Sequence, residues 1–109
     1  MFHRKYKIIT AEQAKSIIDA GNVTVVDVRT QDEYDEDHIE NAILLPNSEI
    51  KNTAESVLPD KNAKILVYCT SGRRSKPAAK LLIKMGYTDV IDFGGLADWP
   101  YETIFQEIE

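Results

Sequence analysis

Cysteine occurs once in this chain of 109 residues, histidine twice and tryptophan once. A lone cysteine forms no intramolecular disulfide, so nothing in the composition argues for an oxidising compartment. His3 and His38 stand far apart, and with a single cysteine they make no zinc-binding pattern; no metal and no cofactor is expected. Long hydrophobic runs are missing too. The basic start, Met1 to Lys7, is followed only by Ile8 and Ile9 before Thr10, which is no signal-peptide core, and no apolar run approaches a membrane span. No membrane contact is expected, and a cytoplasmic location is. Positive charge is in deficit, 13 Lys and Arg against 18 Asp and Glu for a net charge of −5, which argues against a nucleic-acid partner. Linkers, repeats and low-complexity tracts are absent. Residues 1–109 therefore read as one domain, long enough to bury a core without staples.

What is present alternates between strand and helix signals. Lys7-Ile8-Ile9 reads as a short edge strand. Thr10 and Gln13 form a capping box for a helix that presents Ala14, Ile17 and Ile18 on one face and ends near Gly21. Val23 to Val28 is nearly all apolar and β-branched, as in a strand buried on both faces. A polar helical segment reaches His38, and Ala42 to Leu45 is a short strand stopped by Pro46. Ile50, Ala54, Val57 and Leu58 fit one or two short helices. Ile65 to Cys69 is a strand. Ala78, Leu81, Leu82 and Met85 mark a helix that carries Pro77 in its first turn and stops at Gly86. Asp89 to Asp92 is a last strand, Gly94-Gly95 a turn, and Leu96 to Ile108 mostly helix. Trp99 and Tyr101 are expected to pack that last helix on the sheet, and His38 to hydrogen-bond in a turn. Such alternation implies an α/β fold: a parallel sheet of about five strands with helices on both faces. Ligands of such sheets bind beyond the carboxyl ends of the strands, where Asp27 and Cys69 both fall.

The charge is unevenly spread. Residues 32–40 hold six carboxylates, a solvated surface by their pattern, while Arg73, Arg74, Lys76, Lys80 and Lys84 follow the cysteine. The segment Cys69-Thr70-Ser71-Gly72-Arg73-Arg74-Ser75 joins a strand end to a helix start. Its small residues let the backbone curl with amides inward, and Gly72 admits a positive φ. Successive amides of that kind form an anion nest, to which the following helix adds its N-terminal partial charge. Arg73 and Arg74 offer planar forks for oxyanions. An electropositive, partly exposed setting of this sort lowers a thiol below its usual value of about 8.5 and makes it a nucleophile. A core cysteine would have no use for two arginines and two hydroxyls directly after it.

Four segments in order resemble the single-domain rhodaneses, a family of sulfurtransferases: Asp27-Val28-Arg29 with Glu33-Tyr34; His38 to Ala42 leading to Leu45-Pro46; Tyr68 to Ser75; and Gly94-Gly95-Leu96-Ala97-Asp98-Trp99-Pro100. They span about residues 8 to 103. Glu40 and Asn41 depart from the resemblance, standing where the family commonly has a glycine-containing turn. The resemblance implies a rhodanese-like fold and a thiosulfate sulfurtransferase with Cys69 as sulfur carrier. The donor would be a small anion such as thiosulfate, and the acceptor cyanide, a thiol or a protein. It further implies that Thr70, Ser71, Gly72, Arg73, Arg74 and Ser75 bind substrate, with Arg73 or Arg74 holding the departing sulfonate. Asp27, Arg29 and Glu33 would form a supporting ion-pair network. Two alternatives stay open. A cysteine-dependent phosphatase or arsenate reductase would place an arginine at residue 75, which is Ser75; Arg74 comes one position early, and the smaller ring suits one sulfur atom better. The segment Asp32–Asp37 leaves a general acid available to such an enzyme. A non-catalytic module that relays sulfur or binds a partner would keep the same thiol, with Lys76, Lys80 and Lys84 available to dock an acidic protein.

Overall fold

In the computed structural model, which describes residues 5–105, five strands form one parallel sheet in the order β1-β6-β5-β2-β4. These strands are β1 (Lys7–Ile8), β2 (Thr24–Asp27), β4 (Ile43–Leu44), β5 (Lys64–Cys69) and β6 (Asp89–Gly95). β5 lies at the centre. Ile65 to Cys69 have no exposed surface, and alternate side chains serve opposite faces. Ile65, Val67 and Cys69 join Val26, Ile50, Ala54, Ala78 and Leu82 beneath α3 (Ile50–Val57) and α4 (Ser75–Lys84). Leu66 and Tyr68 join Val25, Ile91 and Phe93 beneath Ala14 of α1 (Ala11–Ala20). The helices thus cover both faces, as the alternation requires. Each large apolar side chain buried this way contributes roughly 1.5–3 kcal/mol.

Capping boxes start the first two helices. Thr10 and Gln13 close a capping box on α1, and Thr30 and Glu33 close another on α2 (Gln31–Glu36). The chain then turns at Asn41, whose φ of +68° lies in the left-handed region that glycine favours and asparagine tolerates. That explains how a turn without glycine occupies this place. Asn47–Glu49 forms a short 3-10 turn ahead of α3.

Three expectations are corrected. β6 runs through Gly94 and Gly95, which are therefore the end of a strand and not a turn. Its pairing with β5 shifts there, from Val67 opposite Asp92 to Cys69 opposite Gly95. The helix expected from Leu96 onward is a 3-10 turn, Leu96–Asp98, followed by extended chain. Trp99 precedes Pro100, which disfavours helical backbone, and takes φ −89° and ψ 109°. The segment returns as β7 (Ile104–Phe105), antiparallel to β3 (Asp37–His38), a pairing without a strong local signal. Trp99 packs on Phe93 with ring centroids 5.4 Å apart, so it holds this strap, not a helix, against the sheet. Ile108 and His3 lie outside the described residues. Among the described residues no helix is long and apolar enough to cross a membrane.

Candidate active site

Helices α1 and α2 each begin with a side-chain cap; α4 does not. The first amides of a helix have no partner within it, and at α4 the Cys69 sulfur takes that place. β5 delivers Cys69 to the rim, the chain turns through Thr70 to Arg74, and Gly72 adopts φ +94°. The Gly72 N–H donates to Sγ at 3.0 Å. Burial pushes the Cys69 thiol up; the Ser75 hydroxyl and the N–H groups of Ser75, Arg74 and Gly72 pull it down, and the result lies below the ordinary thiol value. The nest anticipated from small residues and glycine is therefore formed around the sulfur.

The sulfur is more enclosed than expected. Cys69 is 0% exposed, not partly exposed. The cause lies on β6: a Cβ at Gly95 would collide with the Thr70 carbonyl, so the glycine lets the loop settle directly against the strand end. Ala97 also donates its N–H to the Thr70 carbonyl at 3.0 Å. Gly72 and Ser75 are buried in the loop, whereas Thr70, Ser71 and Arg73 are exposed around it. Ser75, counted with the loop from sequence, is the first residue of α4.

The ionic residues form two separate units, not one network. Asp27, fully buried, takes the Arg29 Nε at 3.0 Å and Nη2 at 2.8 Å, and its Oδ1 also accepts the Arg29 N–H at 2.9 Å. The same Nη2 donates to the Asp37 carbonyl, and the guanidinium lies over the Tyr68 ring. This unit locks β2 to β3. The second unit crosses the loop. Arg74 donates from Nη1 to Glu33 Oε1 at 2.6 Å and from Nη2 to Oε2 at 2.8 Å, while the Thr70 hydroxyl donates to Oε2 at 3.2 Å. Arg74, expected to be free for a sulfonate, is thus committed to α2. Those contacts hold the Glu33 carboxyl well below the usual carboxylate range. Arg73 is exposed and has no ion-pair partner among the described residues. His38 stacks on Tyr34, ring centroids 3.8 Å apart, with Nδ1 2.8 Å from the Tyr34 carbonyl.

Sequence reasoning overlooked Asp92 and misplaced Gly95. Asp92 is a fully buried carboxylate below the loop, its Oδ1 accepting the Ser75 hydroxyl at 2.7 Å. An aspartate between Ile91 and Phe93 in a buried strand was the available signal, since such a charge persists only with partners. A cleft of about 320 Å³ adjoins the loop on its β2 side, lined by Val28, Arg29, Thr30, Pro46, Asn47 and Arg74. A wider groove between α1 and the Trp99–Glu102 strap does not include any residue from 69 to 75.

The Rhodanese-like domain family model matches residues 10–101. The chain belongs to the rhodanese-like family. It is 42% identical over 73 residues to the thiosulfate sulfurtransferase PspE of Escherichia coli, covering 67% of this chain and 70% of that one. It is 34% identical over 95 residues to the thiosulfate sulfurtransferase GlpE of Coxiella burnetii, covering 86% of this chain and 87% of the relative. A crystal structure of a rhodanese-related protein from Thermoplasma volcanium superposes with a TM-score of 0.81 at 30% identity, over 94% of this chain and 100% of that chain. The parallel sheet, its flanking helices and the sulfurtransferase family membership thus agree.

Proposed function

We propose that this rhodanese-like protein is a thiosulfate sulfurtransferase that carries sulfane sulfur as a Cys69 persulfide. The observation that carries the reading is the sulfur's place at the uncapped start of α4, where loop N–H groups converge on it. A thiolate there needs no general base. It attacks the outer sulfur of thiosulfate: a bond forms between Sγ and that sulfur, the sulfur–sulfur bond of thiosulfate breaks, and sulfite leaves with the electron pair. The persulfide anion that remains keeps the negative charge near the loop amides, which stabilise it as preorganised dipoles. An acceptor thiolate or cyanide then attacks the outer sulfur, takes it, and returns Cys69 as thiolate, a double displacement with ping-pong kinetics.

Arg73 supplies the exposed guanidinium for the sulfonate, because Arg74 is held by Glu33. The short spacing from Cys69 to Arg74 supports sulfur over phosphate or arsenate as the group enclosed. A nucleophile that must stay reduced supports a cytoplasmic setting, where thiols persist. Family relatives named as thiosulfate sulfurtransferases support the choice of donor.

The test is mass spectrometry after thiosulfate treatment, alongside parallel assays with a generic phosphate ester and arsenate. Wild type gains one sulfur atom and turns over thiosulfate alone; Cys69→Ser gains none while keeping its fold by circular dichroism. Sulfur transfer by the Cys69→Ser variant would refute the reading.

A further inference from the structure

The outer face of α4 carries positive charge that the proposed chemistry leaves without a task. From residue 61 to residue 88 this acidic chain holds no Asp or Glu, and α4 lies within that stretch. Ala78, Ala79 and Leu82 are buried against the sheet. Lys76, Lys80 and Lys84 are exposed, and their spacing of four puts them in one stripe. At about 1.5 Å per residue the stripe runs roughly 12 Å. Lys76 Nζ lies 3.6 Å from the buried Asp92, whereas Lys80 and Lys84 have no hydrogen bond or ion pair among the described residues.

Local rules disfavour this arrangement. On α1 the same four-residue step sets Lys15 against Asp19 at 2.8 Å, but both steps on α4 set lysine beside lysine, and like charges at that spacing destabilise a helix. Helices α1 and α2 carry acidic residues in their first turns, where the helix dipole favours them; α4 carries none and has Lys76 there. A face that costs helix stability and lacks internal counter-charge is complementary to negative charge brought from outside. Its position gives that charge a purpose. The stripe starts in the first turn after the Cys69 loop, so a macromolecule lying along α4 has one end beside the loop. We propose that the outer face of α4 docks an acidic protein that takes sulfur from Cys69. The proposal rests on the persulfide reading. A cysteine thiolate of the partner attacks the outer sulfur of the Cys69 persulfide, the sulfur–sulfur bond breaks with its electron pair returning to Sγ, and the persulfide passes to the partner. A protein suits the face better than a nucleic acid, whose backbone would meet a net charge of −5 and few lysines to neutralise its phosphates.

The experiment compares the full chain with its Lys80→Gln, Lys84→Gln double variant, glutamine being a good helix former that removes only the charge. The probes are synthetic peptides: a run of glutamates ending in cysteine, a run of lysines ending in cysteine, and the glutamate run ending in serine. Sulfur transfer from thiosulfate is measured at low salt, where surface charges are least screened. The double variant is expected to lose about five- to tenfold in kcat/KM with the acidic cysteine peptide and nothing with cyanide. The loss is expected to vanish in about 1 M salt, where the screening length falls to about 3 Å. Equal kcat/KM for wild type and variant with the acidic peptide overturns the proposal, as does an equal loss with the lysine peptide. Docking is read separately, without sulfur chemistry, by titrating the labelled protein with the serine peptide and following its backbone amides by NMR. Shifts are expected along residues 75–84 in wild type and not in the variant. Shifts confined to other residues overturn the proposal. So does an oligouridylate that shifts α4 where the acidic peptide does not, which would give the face to nucleic acid. Failure of transfer to every acceptor, cyanide included, would strike the proposed function, and the NMR titration would still decide the docking face.

Discussion

Glu33→Gln separates the charge of the Glu33–Arg74 bridge from its shape. Glu33 does two jobs: it completes the α2 capping box, accepting the Thr30 N–H at 3.1 Å, and it clasps Arg74 through two bonds of 2.6 and 2.8 Å. Glutamine also serves at that position of a capping box, so the substitution spares the helix start and removes the ion pair. The side chains are 36% and 31% exposed for Arg74 and Glu33, so solvent weakens the pair. Hydrogen bonds to charged groups are worth about 1.5–3 kcal/mol and exposed pairs about 0.2–1 kcal/mol, and a bidentate bridge one-third exposed belongs near 1 kcal/mol. The pH dependence carries the sign. The folded Glu33 carboxyl is held below its unfolded value of about 4.3, so the wild-type advantage is complete above that pH. It is lost as pH falls below that value toward the lower folded one. Urea denaturation at pH 7, 5 and 3 measures this: the loss in Glu33→Gln is expected to be similar at pH 7 and 5, and to shrink at pH 3. A loss that stays the same at pH 3 would refute the charge argument and assign the effect to shape.

Two further predictions address the loop. Arg73→Ala is expected to raise the KM for thiosulfate about five- to tenfold, with a much smaller effect for an uncharged persulfide donor; steady-state kinetics with both donors checks it, and equal effects would remove the sulfonate role. Gly95→Ala forces a Cβ onto the Thr70 carbonyl and is expected to cost about 1–3 kcal/mol by urea denaturation while slowing Cys69 alkylation, because the loop must lift from β6; an unchanged alkylation rate would show that the loop amides do not depend on that contact.

The sheet, the helices and the loop were legible because their signals are local. The capping box at Thr10, the apolar run into Cys69 and the glycine at residue 72 each act through neighbours in the chain, and each produces the element expected of it. What escaped depends on contacts across the fold. Arg74 reads as an anion binder until α2 places Glu33 in front of it, 41 residues away in sequence. Gly94-Gly95 reads as a turn because the pattern cannot show that β6 must pass flush against Thr70. The β3–β7 pair consists of two residues per strand, too short for periodicity to register. The exposure of Cys69 was misjudged for the same reason, since the lid over it is the loop's own fit against β6.

Three strands that neighbour one another in the sheet carry a titratable group at or near the same edge: Asp27 on β2, Cys69 on β5 and Asp92 on β6. Two of them have side-chain partners. Asp27 has the Arg29 guanidinium, and Asp92 has the Ser75 hydroxyl with Lys76 nearby. Cys69 is treated differently, for its short contact is a backbone N–H and, among the described residues, no cationic side chain is hydrogen-bonded to it. The difference matters for chemistry. A guanidinium in contact with the sulfur would stabilise the thiolate strongly, but under the proposed function it would crowd the atom that has to accept a second sulfur. In the proposed chemistry, backbone dipoles can serve the thiolate and the longer persulfide alike.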